Sequence, residues 1–109
     1  MNEMIVATTN DVPGYRTDEV YGEVFGLIVR SRNVFSNFGA SLRTIVGGEV
    51  KGYTNLLSDS REHALDRLRQ AAAAKGANAV VAMRFDSGDI GNIMNEVAAY
   101  GTAVRITKL

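Results

Sequence analysis

The sequence predicts an α+β fold from three observations. Two stretches, Asp18 to Val29 and Ile93 to Thr107, alternate with the period of a strand; Val34 to Lys75 repeats its apolar residues at helical spacing; and Asn78 to Asp86 is apolar almost throughout. A chain of 109 residues supplies one core, so 1–109 reads as a single domain. Its 46% hydrophobic and 22% charged residues are globular proportions, enough apolar surface to drive folding.

The elements follow in order. Met4 to Thr8 is a short β-branched run that ends in Thr9-Asn10-Asp11 and the turn dipeptide Pro13-Gly14. In the next strand Tyr21, Phe25, Leu27 and Val29 share one face with Glu23, while Val20, Val24 and Ile28 share the other with Gly22 and Gly26. Glycines set among branched residues indicate either a close backbone approach, by a crossing helix or a neighbouring subunit, or a bulge. Val34, Phe38, Leu42 and Ile45 then predict a short amphipathic helix closed by Gly47-Gly48. A second helix is predicted from Thr54, as N-cap, to Lys75, with Gly76 after its last turn and a stripe of Leu57, Ala64, Leu65, Leu68, Ala71 and Ala72. The apolar run Asn78–Asp86 reads as a central strand buried on both faces. Ser87 to Asn92 supplies turn chemistry, and the last strand carries Gly101 as a bend or bulge, so the final two strands read as a hairpin. The predicted order is strand, strand, helix, helix, strand, strand, two helices covering a mainly antiparallel sheet.

Charge and composition exclude several classes. Twelve basic residues balance twelve acidic ones, which leaves no electrostatic footprint for nucleic acid or an anionic membrane. No stretch reaches membrane-spanning length and no leader is visible. The absence of cysteine removes disulfides, thiolate nucleophiles and thiolate metal sites, and fits a cytoplasmic, reducing setting.

Three constellations could carry chemistry. Gly47-Gly48-Glu49-Val50-Lys51-Gly52-Tyr53-Thr54 has the glycine spacing of a phosphate loop, but Tyr53 stands where the lysine belongs and the segment follows a helix rather than a strand. It reads as a bend between two helices. Asp59, Glu62, His63 and Asp66 lie at i, i+3, i+4 and i+7, a sector of about 100° on one helix face. Carboxylates and an imidazole so grouped suit a divalent ion such as zinc, manganese or magnesium; the alternative is an ordinary solvated face, opposite the leucine stripe and shared with Arg67, Arg69 and Gln70. Glu23 and Glu96 sit amid apolar strand positions, where a carboxylate serves either as a general acid or base or as partner to Arg30, Arg84 or Arg105. No hydrolase elbow, zinc-protease motif or dinucleotide fingerprint occurs, so a catalytic set is absent by motif.

Gly47 to Leu57, Lys75-Gly76-Ala77-Asn78-Ala79-Val80-Val81 and Arg84-Phe85-Asp86, with Val24-Phe25-Gly26 upstream and Ala98 to Val104 downstream, resemble the YbjQ-like family of small bacterial and archaeal proteins. The resemblance covers nearly the whole chain. It implies a subunit similar to that of dodecin, with helices on a curved sheet, and assembly with itself into a ring-like homopentamer. It also implies a heavy-metal-binding label, with no settled activity and no ligand positions; soft metals prefer thiolates, which this chain lacks. Two functional readings follow: a non-enzymatic homo-oligomer binding a metal or small ligand near subunit interfaces, or a small hydrolase or isomerase using interface carboxylates among Glu23, Glu96 and Asp86. A shared concave pocket for those carboxylates favours the second; salt bridges or solvent around them favour the first.

Overall fold

The computed structural model describes residues 4–31, 51–90 and 94–109. The helix expected over Val34–Val46 and the glycine pair that closes it lie outside the described residues. Those described form β1 (Ile5–Val6), β2 (Tyr15–Ser31), α1 (Lys51–Ala74), β3 (Ala79–Ile90) and β4 (Met94–Lys108). The strands make one sheet in the order β1-β3-β4-β2. β4 pairs antiparallel with both neighbours, and β1 runs parallel to β3. The α+β class stands, with a mixed sheet and, among the described residues, one helix on it rather than two.

Several boundaries differ from expectation. Lys51 to Tyr53 are already helical, so Thr54 is an interior position and not the cap. Ser87 to Ile90, expected to turn, are strand paired to Val97 through Met94, because a partner ladder overrides local turn preference. At its far end α1 closes as anticipated: Gly76 takes φ +87, its N–H donates to Ala73 O at 3.0 Å, and the Ala77 N–H donates to Ala72 O at 3.1 Å. Those two bonds satisfy the last carbonyls, and only glycine adopts that φ without strain. Asn78 then extends the ladder with its side chain, whose Oδ1 accepts from Ile106 N at 2.8 Å while Nδ2 donates to Ile106 O at 2.9 Å.

α1 lies across one sheet face. Ala64, Leu68 and Ala72 are fully buried against Val24, Ile28, Val80, Ala99 and Ala103. The buried stripe begins at Ser60; Leu57, assigned to it from the sequence, is half exposed. A Cβ on Gly26 would stand 2.2 Å from Ala64 O and 2.4 Å from Leu68 N, so the helix backbone rests on the strand backbone there. Gly22 plays the other anticipated part. Its φ of +98 marks a bulge between Val20 and Gly22, which turns Tyr21 towards the helix side and leaves Val20 exposed on the opposite face, contrary to the simple alternation. In β3 a bulge at Ala82 and Met83 faces Gly101, where a Cβ would meet Val80 Cγ1 at 2.7 Å. Ala82 adopts φ 55 and donates to Thr9 O, while Met83 donates to Ala7 O, so the chain beyond β1 holds the bulge.

The opposite sheet face is covered over half its length. Ile5, Val12 and Tyr15 pack on Ala79, Val81, Val104 and Ile106. The first residues of β3 are therefore buried on both faces, as their composition predicts.

Gly26→Ala is expected to lower unfolding free energy by about 3 kcal/mol in urea titration, because neither backbone can retreat. Gly88→Ala, where an added Cβ meets nothing within 4 Å, should change it by no more than about 0.5 kcal/mol.

Asp18 accepts hydrogen bonds from Thr107 and Arg16, and these, Thr107 first, hold its carboxyl below the ordinary aspartate range. The folded state binds this proton more weakly than the unfolded chain. Its stabilisation is therefore complete above about pH 4 and is lost as pH falls through the depressed folded value. Asp18→Asn should flatten the acid limb of a urea-midpoint profile below about pH 4 and leave its slope unchanged from about pH 6 to 8.

Candidate functional site

Among the described residues, the upper half of the sheet face turned away from α1 gathers carboxylates that form no ion pair. Alternation sends Glu23, Phe25, Leu27 and Val29 of β2 to this side, and register sets them in rows across β4 and β3: Phe25, Tyr100, Arg84; Leu27, Ala98, Asp86; Val29, Glu96, Gly88. Phe25 is 58% exposed and Tyr100 41%, values that buried neighbours on the helix side never approach. Glu23, Asp86 and Glu96 line one shallow, open pocket with Phe25, Leu27, Ala98 and Tyr100, about 330 Å³ in volume.

The three carboxylates named from the sequence thus share a pocket. None forms an ion pair among the described residues. The arginines that the sequence offers as their partners are engaged elsewhere: Arg84 donates to Thr8 O, Arg105 to Gly76 O, and Arg30 reaches α1. Such an arrangement presents negative charge over an aromatic floor, which attracts cations or positively charged side chains. It offers no imidazole or thiol to carry a reaction, since the single histidine lies on α1 on the other side of the sheet.

The helix set divides. Asp59 and His63 stand beside Arg30 of β2, whose Nη2 is 3.4 Å from Asp59 Oδ2 and 3.2 Å from His63 Nδ1. They border the buried stripe instead of opposing it. Asp66 pairs with Arg69 at 2.9 Å, one turn on and outward. Among the described residues no three His, Asp or Glu side chains converge as metal ligands would. Beyond Asp59 and His63 on the same flank, Arg67 donates to Leu27 O at 2.7 Å and Lys75 to Glu23 O at 3.3 Å, covering carbonyls along β2, the edge of the sheet.

Sequence reasoning missed the parts of Phe25, Leu27, Tyr100 and Arg30. A signal for the first three was available, since β2 is apolar on both faces and, among the described residues, the helix covers only one of them. Arg30 carried none, because its partners lie 29 and 33 residues away.

Among the described residues no helix is long and apolar enough to cross a membrane. Residues 4–107 match the YbjQ family model, described as "Putative heavy-metal-binding". The chain is 60% identical over 109 residues to the UPF0145 protein YjfJ of Lactococcus lactis subsp. lactis, covering all of both chains. A UPF0145 protein of Acidothermus cellulolyticus is 55% identical over 106 residues, 97% of this chain and 98% of its own. A crystal structure from Pediococcus pentosaceus, described as a protein of unknown function of the DUF74 family, is similar in fold with a TM-score of 0.57 at 14% identity, covering 95% of this chain and 98% of that one. With a match running through nearly the whole sequence and relatives at such identity, the chain belongs to the YbjQ family of UPF0145 proteins.

Proposed function

We propose that the chain is a non-enzymatic, self-associating module whose copies meet through the bare half of the sheet and hold a divalent ion or small ligand on the carboxylates at that junction. One observation carries this: Phe25, Leu27, Val29, Ala98 and Tyr100 form a continuous apolar surface beside Glu23, Asp86 and Glu96. The lower half of the same face is finished by the chain's own Ile5, Val12 and Tyr15, whereas among the described residues none covers the upper half. Contiguous apolar patches of this kind mark interfaces. A balanced net charge leaves a second copy unrepelled, and the family resemblance implies a ring of identical subunits.

Light scattering at micromolar concentration is expected to give a mass several times that of the chain. Phe25→Asp and Leu27→Asp, charged on a surface that needs no charge to fold, should drive it towards monomer with helix content retained by circular dichroism. A wild-type monomer, or assembly indifferent to both substitutions, sinks the reading.

The second reading, a hydrolase or isomerase using these carboxylates, is favoured by their sharing one pocket. Turnover on an ester, glycoside or keto-acid panel, lost in both Asp86→Asn and Glu96→Gln, would replace the first reading with it.

A further inference from the structure

Borderline and soft metal ions are held by imidazole and thiolate. This chain has no cysteine and one histidine, so a heavy-metal ion that needs an imidazole ligand has only His63.

The surroundings of His63 are cationic. Arg30 Nη2 lies 3.2 Å from His63 Nδ1, and a guanidinium has donors only and keeps its proton at any working pH. Nδ1 must therefore present its lone pair. In the neutral ring the proton then sits on Nε2, which faces Asp59 Oδ1 at 3.7 Å, while Asp59 Oδ2 lies 3.4 Å from the same guanidinium. Asp59 and His63 thus share one guanidinium. A metal ion approaching Nδ1 has to displace Arg30. One approaching Nε2 needs that nitrogen's lone pair, which moves the proton to Nδ1 and sets donor against donor with Arg30. A single cation closes both nitrogens.

We propose that Arg30 stands where a metal ion would: its guanidinium is the permanent cation of the Asp59–His63 pair, and the helix set Asp59, Glu62, His63 and Asp66 does not load divalent metal while Arg30 is in place. On the helix, the donor set thus disagrees with the family's description, because thiolates are absent and Arg30 occupies the one imidazole. The inference is independent of self-association, and light scattering does not bear on it.

The test titrates the full chain with zinc by calorimetry and with cobalt by visible absorption. Wild type is expected to show no saturable binding that His63→Ala removes. Arg30→Met keeps an unbranched stem without the charge, and should raise zinc affinity at least about tenfold, the gain disappearing again when His63→Ala is added. His63-dependent binding of one ion by wild type overturns the proposal. So does a folded Arg30→Met chain with unchanged affinity. Should Arg30→Met fail to fold, nitrogen-15 shifts of the wild-type ring decide: a proton on Nε2 with Nδ1 accepting upholds the proposal, and a proton on Nδ1 overturns it.

Discussion

The contact between α1 and Gly26 sets the terms for the rest of the molecule. The helix backbone at Ala64 and Leu68 occupies the volume a side chain would fill, so the helix sits lower on the sheet than ordinary side-chain packing permits. At that height Arg67 and Lys75 reach over the rim of β2 to the carbonyls of Leu27 and Glu23. An edge strand otherwise offers those groups to any passing strand, and capping them discourages pairing along the edge. The same depth brings Asp59 and His63 within reach of Arg30 at the far end of the strand.

Seating the helix this way also decides which apolar surface remains. Val24, Ile28, Val80, Ala99 and Ala103 are sealed beneath it, while Phe25, Leu27 and Tyr100, one residue out of phase, are not. Burial stabilises by about 25 cal/mol per Å² of apolar surface, so the bare rows retain a driving force that the described part of the chain leaves unused. The carboxylates at their margin direct that force, since a partner without matching positive groups or a bound cation would have to desolvate Glu23, Asp86 and Glu96 at a cost. Association and ligand binding are thus coupled at this surface in the proposed function.

The two acidic clusters differ in what surrounds them. On α1 Asp59 is paired with Arg30 and Asp66 with Arg69, and these exposed pairs add little stability while occupying carboxylate oxygens a metal would need. On the sheet face the carboxylates have no such partners among the described residues, because the nearby Arg84 is drawn to the Thr8 carbonyl. Residue type alone does not separate the two clusters; the position of the neighbouring arginines does.

What the sequence determined by itself is the set of properties that depend on near neighbours. The alternation of β2 from Glu23 to Val29, the alanine-rich end of the helix, the glycine that closes it and the doubly buried start of β3 are all local in period or in steric demand, and each stands where it was expected. Gly22 and Gly26 were legible as special positions, but the assignment of one to a bulge and the other to a helix contact belongs to the packed structure. Tertiary structure alone decided the rest. Pairing with β4 made strand of Ser87 to Ile90, the bulge exchanged Val20 for Tyr21 on the helix side, and packing buried Ser60 while leaving Leu57 half exposed. The meeting of Arg30 with Asp59 and His63 joins groups 29 and 33 residues apart, a separation at which neither periodicity nor local propensity carries information.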